Sequence, residues 1–158
     1  MPSEVGSQHV IGSPDELIFA LLRHDWRVIG PRLEDGAIVY DEVSGPEDLP
    51  RGLTDTQEPG HYRLTKGREG AWFDYVIGPQ NWKKWLFPAR HRLWSAQRSD
   101  DGFQIDLPDD PWPKTVFFGV RPCEIAAMHV QDRVFDGGGF SDPGYCRRRA
   151  ETLIVAVQ

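Results

Sequence analysis

Two stretches, residues 115–120 (Thr-Val-Phe-Phe-Gly-Val) and 152–157 (Thr-Leu-Ile-Val-Ala-Val), open on threonine and are otherwise apolar without interruption. Both have strand length, and neither alternates with polar residues, which marks strands covered on both faces. Between them Pro122 opens a helical stretch to about Val134, with Ile125, Met128 and Val134 as core candidates. A glycine-rich loop at 137–139 and a short helix over about 144–150 complete the connection. Strand, helix, strand with apolar strands is a βαβ unit with a parallel pair. The fold class is therefore α/β, with the second strand expected in the middle of its sheet. Because the sequence reaches Gln158 directly after that strand, it reads as the N-terminal half of something longer.

The first two-thirds reads differently. Ser13-Pro14-Asp15-Glu16 has the order of a helix start, with Leu17, Ile18, Leu21 and Leu22 on one face and a stop near residues 23–25. Residues 26–29 read as a strand broken by Gly30-Pro31, and residues 37–40 as a second strand after the turn Glu34-Asp35-Gly36. Residues 44–60 read as an irregular excursion. Residues 62–65 and 72–77 read as paired strands, and residues 93–98 and 103–107 as a hairpin around Asp100-Asp101-Gly102. Asn81 caps a short helix ended by Pro88, and residues 108–113 form a rigid acidic connection. Antiparallel hairpins followed by a βαβ unit make one domain over 14–158, with a flexible N-terminus over 1–13.

Composition excludes several classes. No apolar run approaches the 18 residues of a membrane span, and the polar start with Glu4 is no leader peptide. Two cysteines 23 positions apart make no disulfide framework, which suits a reduced, cytoplasmic setting. The net charge of −6 speaks against nucleic acid as a partner. Charge is unevenly spread: residues 1–60 hold 4 basic and 12 acidic groups, residues 61–158 hold 14 and 12. An acidic front and a locally basic back suit docking to another protein or holding an anionic cofactor. There is no P-loop and no nucleophile elbow, Gly137–Gly139 follows a helix rather than a strand, and five scattered histidines lack zinc-ligand spacing.

Three segments carry candidate chemistry. In the first, Gly119-Val120-Arg121-Pro122-Cys123-Glu124, the proline puts Cys123 in the first helical turn. There the free N–H groups and Arg121 favour a thiolate, at the carboxyl edge where parallel sheets bind ligands. Such a thiolate ligates iron, contacts a redox cofactor, or sits in the core. In the second, Asp142-Pro143-Gly144-Tyr145-Cys146-Arg147-Arg148-Arg149, three adjacent arginines cannot share one helical face. They hold an anion, meet a partner's acidic groups, or pair with the acidic front, and they are expected to lower the Cys146 pKa. In the third, Trp82, Trp85 and Leu86 share a face flanked by Lys83 and Lys84, which is either a core anchor or a docking surface.

Residues 117–124 (F-F-G-V-R-P-C-E), then Asp132-Arg133-Val134-Phe135, then Asp142-Pro143 with Tyr145, Arg147 and Arg148, then residues 152–156 together resemble the 4Fe-4S dicluster-domain family. That family includes the beta subunit of cytoplasmic sulfhydrogenases and the A subunit of anaerobic sulfite reductase. The resemblance extends upstream through Val28-Ile29-Gly30-Pro31, residues 57–64 (Q-E-P-G-H-Y-R-L) and residues 78–88, and covers about 14–158. It implies an electron-transfer subunit between a hydrogenase or sulfite-reducing module and a flavin subunit. Arg121, Cys123, Glu124, Tyr145, Arg147 and Arg148 would then lie at the cofactor, and Trp82, Lys83, Lys84 and Trp85 at a subunit interface. Two departures are Glu124, where the family has Asp, and the absence of the cysteine-rich runs that hold the family's clusters. Cys123 would ligate a 4Fe-4S cluster only with cysteines this chain lacks, so no complete cluster is expected on it alone. The alternatives are a scaffold or binding module without redox work, and a flavin- or nucleotide-binding domain using the Cys123 helix start as an anion site.

Overall fold

A computed structural model describes residues 12–78, 80–99, 102–107 and 111–158. Helix α1 (Pro14–Arg23) starts where the sequence places it: the Ser13 hydroxyl accepts the Glu16 N–H at 3.4 Å. The Glu16 carboxylate reaches back one residue further than a capping box requires, to the Gly12 N–H at 3.3 Å. The expected flexible N-terminus over 1–13 falls mostly on residues 1–11, outside the described residues.

Strands β1 (Arg27–Glu34) and β2 (Ala37–Val43) form a hairpin whose two-residue turn has positive φ at Asp35 (48°) and Gly36 (77°), as an Asp-Gly turn favours. Contrary to expectation, β1 does not break at Gly30-Pro31. Its parallel neighbour β7 (Thr115–Val120) pairs only with Arg27, Val28 and Ile29, so from Gly30 onward β1 has β2 on one side alone. A proline is tolerated on such an edge. Strand β8 (Thr152–Ala156) pairs with β7 in parallel, which gives one mixed sheet in the order β2-β1-β7-β8. The βαβ unit is as read, but β8 is an outer strand of the sheet, not a central one.

Both faces of this sheet are covered. On one side Ile18 and Leu21 of α1 pack with Val28, Val43, Val116 and Phe118. On the other, α2 (Lys83–Leu86), α3 (Pro122–Phe135) and α4 (Pro143–Ala150) contribute Trp82, Leu86, Met128 and Tyr145 against Phe117 and Tyr40. In α3 the inward residues are Ile125, Met128 and Phe135, and Val134 is exposed. Seven residues are close to two helical turns, so Phe135 rather than Val134 repeats the position of Met128.

Residues 44–60 are more regular than expected. A 3-10 turn (Pro46–Asp48) leads to β3 (Leu53–Glu58), which pairs with β4 (His61–Lys66) across a turn at Gly60, φ 79°. The expected partner of β4, residues 72–77, is not a strand: Phe73 has φ 55°, and only Trp72 makes a bridge, to Arg51. This segment is held by side chains instead, because Asp55 accepts the Val76 N–H and the Tyr62 hydroxyl donates to the Val76 carbonyl at 2.8 Å. A second hairpin, β5 (Ser95–Ser99) and β6 (Gly102–Asp106), stands where the sequence puts it. Its turn at Asp100-Asp101 and much of the acidic connection (108–110) lie outside the described residues.

Gly119 interrupts the register between β7 and β8, with φ 80°. A Cβ there would sit 2.7 Å from Cε1 of Phe73. Gly119→Ala should therefore cost about 1–3 kcal/mol, from the left-handed backbone together with the ring contact. The double variant with Phe73→Leu should recover only the contact part. Denaturant melts of the four proteins read both, and an unchanged midpoint for Gly119→Ala would show that neither constraint operates.

Candidate functional site

The carboxyl end of β7 turns into α3 at Arg121, and the sequence-derived cluster assembles there. Cys123 is exposed in the first turn. The Arg121 guanidinium is tied to the body through Nη2, which donates to the Phe73 carbonyl at 3.1 Å. Its positive charge acts on three phenols brought from separate segments, Tyr40, Tyr62 and Tyr75. Burial pushes the Tyr40 and Tyr75 hydroxyls well above the ordinary phenol range, and the Tyr75 hydroxyl is buried without a hydrogen-bond partner.

Glu124 has a different occupation from the one expected. One carboxylate oxygen accepts the Arg121 backbone N–H at 2.8 Å, and the other accepts the Tyr40 hydroxyl. The carboxylate thus fills the positive end of α3, leaving it poorly suited to an external anion. This counts against the flavin- or nucleotide-phosphate reading of the helix start.

Tyr145 and Arg149 converge on Asp132, whereas Arg147 and Arg148 go elsewhere. Tyr145 is fully buried, and its hydroxyl donates to Asp132 Oδ1 at 2.6 Å. Arg149 forks onto the same carboxylate at 3.1 and 3.3 Å. Arg148, only 4% exposed, donates through Nε to the Leu86 carbonyl at 2.8 Å and so joins α4 to the end of α2. Arg147 is exposed. Arg148 also lines a cleft of about 360 Å³ with His91, Leu93 and the helix-capping Asp142. The buried Tyr145 and Arg148 hold helices together, and only Arg147 of this group faces outward.

Trp82 is a core residue: its ring lies 3.6 Å from that of Tyr40 and 4.4 Å from that of Phe117, centroid to centroid. Trp85 is half-buried beside Arg27, whose guanidinium lies 5.5 Å from the Trp85 ring and 4.3 Å from that of Trp112. Burial lowers the Arg27 pKa. Of the expected interface, Lys83 and Lys84 are the members that reach the surface.

Cys123 sits in the first turn of α3, and Cys146, on α4, lies against the opposite end of α3. Cys146 donates its thiol to Asp136, the residue capping the far end of that helix, at 3.1 Å. A helix of 14 residues is about 20 Å long, which separates the thiols far beyond the span of one cluster. The hydrogen bond to Asp136, with some desolvation, raises the Cys146 pKa. This reverses the expectation that the arginines would lower it. A carboxylate accepting the S–H favours the protonated form, whereas Arg148 and Arg149 are directed elsewhere. Among the described residues no group of three or more His, Cys, Asp or Glu side chains is arranged to hold a metal ion. One thiol at the carboxyl edge does not fit a four-thiolate cluster.

The sequence reading missed Tyr40, Phe73, Tyr75 and Asp132 as parts of these networks. Asp132 stands in the Asp132-Arg133-Val134-Phe135 motif but was given no role there, and nothing local distinguishes the other three; each gains its role from a contact with a residue distant in the chain. In comparisons with known proteins, no family model, no curated protein and no solved structure matches this chain. The resemblance drawn from the sequence rests on the chain's own motifs.

Cys123 should alkylate faster than Cys146 at neutral pH, and the Cys146 rate should rise at a higher pH than for an ordinary thiol. Asp136→Ala should accelerate labelling at Cys146. Equal rates at the two cysteines would contradict the assignment. A second pair of variants separates structural from surface roles. Glu124→Ala should cost about 1–3 kcal/mol by orphaning the Tyr40 hydroxyl. Arg148→Ala should cost about 2–4 kcal/mol, against under about 1 kcal/mol for the exposed Arg147→Ala. Equal melting temperatures for the two arginine variants would remove Arg148 from the structural role.

Proposed function

We propose that this chain is the N-terminal module of an iron–sulfur electron-transfer subunit in a soluble, cytoplasmic redox complex. Its partners are a hydrogenase or reductase module and a flavin subunit. The observation that carries the reading is the exposed Cys123 in the first turn of α3, at the carboxyl edge of a parallel strand pair and beside Arg121. That is where such sheets present residues to ligands and partners. The family resemblance of residues 117–156 supports it. In this role the module offers one thiol and a shaped edge, and the cluster's other ligands come from outside the residues given. Lys83, Lys84 and Arg147 supply exposed positive charge for acidic surfaces of neighbouring subunits. No described helix is long and apolar enough to cross a membrane.

The second reading is a scaffold without redox work. It is favoured by the internal use of Glu124, Tyr145, Arg148 and Trp82, which the resemblance would place at cofactor or interface.

Iron and sulfide analysis with EPR after anaerobic reconstitution separates the two. The 158-residue chain should hold no stoichiometric cubane. A longer protein carrying this module and the family's cysteine runs should lose one cluster on Cys123→Ser. Cluster content and signals unchanged by that substitution would leave the scaffold reading standing. A full cubane on the short chain would contradict the ligand argument.

A further inference from the structure

The β5–β6 hairpin has one apolar face and one polar face. Its register sets Ala96 against Ile105, Gln97 against Gln104 and Arg98 against Phe103. Alternation along each strand therefore puts Ala96, Arg98, Phe103 and Ile105 on one side, and Ser95, Gln97, Gln104 and Asp106 on the other. At the root, Trp94 and Leu107 continue the apolar series, two residues from Ala96 and Ile105 respectively. Trp94, Phe103, Ile105 and Leu107 are 59%, 74%, 65% and 79% exposed. The two strands pack on each other and make no substantial contact with any other named element. An isolated two-stranded hairpin is marginal in water, and its apolar side chains gain nothing until something covers them.

We infer that this face is the contact surface for a second copy of the chain, the two hairpins packing face to face about a two-fold axis. Area supports that occupant. The four large side chains leave roughly 500 Å² in water, at the upper end of what a monomer exposes in one patch. Two copies face to face would bury roughly 1,000 Å², the size at which an interface becomes stable in solution. The chemistry is self-complementary: apart from Arg98 the face is uncharged, so apolar meets apolar without a complementary charge pattern. The polar reverse face closes the assembly at two, because no second apolar surface on the hairpin remains for another copy.

Sedimentation velocity across a concentration series tests the inference. The wild-type chain should show a reversible monomer–dimer equilibrium. Ile105→Lys, at a position already exposed in the monomer, should give monomer at concentrations where the wild type is dimeric, with an unchanged melt of the body. Gln104→Lys, on the reverse face, should leave the dimer intact. In a background of Cys123→Ser and Cys146→Ser, Ile105→Cys should form an intermolecular disulfide under mild oxidation. A wild type that stays monomeric throughout, or a dimer that survives Ile105→Lys, would overturn the inference. So would a monomer whose hairpin binds lipid vesicles, since the face would then serve a membrane surface.

Discussion

The six residues of β7 are all buried, so water has to be kept from both faces of the strand. Much of the architecture follows from that requirement. Phe118 and Val116 draw α1 and the Pro46–Asp48 turn onto one face. Phe117 and Val120 collect α2, α3 and α4 on the other. The Phe117–Trp82–Tyr40 stack fixes the four-residue α2, which has too few internal hydrogen bonds to persist alone. Each large side chain buried here contributes about 1.5–3 kcal/mol, so the stack outweighs the weak propensity of that helix.

The same packing explains why residues with a functional look turn out to hold the fold. Burying a carboxylate, a phenol or a guanidinium beside β7 is costly unless it finds a partner. Glu124 is paired with Tyr40 and the α3 start, Tyr145 with Asp132, and Arg148 with the end of α2. Once these groups are committed, little free chemistry remains at the carboxyl edge beyond the Cys123 thiol and the phenols around Arg121. The proposed role asks for no more than this, one residue presented to a neighbour.

Legibility followed the range of the interaction. Ser13-Pro14 before α1, Asp35-Gly36 between β1 and β2, and Pro122 at the start of α3 act within a few residues, and each can be read from its neighbours. The pairing of β3 with β4 could not, because β3 is polar along most of its length and lacks the alternation that marks a half-buried strand. The passage of β1 through Gly30-Pro31 depended on where β7 stops pairing, a fact about another segment altogether. At the candidate site, the first-turn position of Cys123 was readable. The raised Cys146 pKa was not, because it depends on Asp136 lying across from α4.

By itself the sequence determined the βαβ unit, the helix starts, the hairpin turns and the α/β class. These rest on local backbone preferences and on apolar runs whose burial is obligatory wherever they fold. Tertiary structure alone decided which charged and aromatic residues would be interior, which strand would lie at the sheet edge, and that the Cys146 thiol of α4 would lie at the end of α3 opposite Cys123. The physical reason is that burial and hydrogen-bond pairing belong to contacts between distant segments. The fate of Arg148, Glu124 or Trp82 is therefore fixed by what packs against it, whatever its neighbours in sequence.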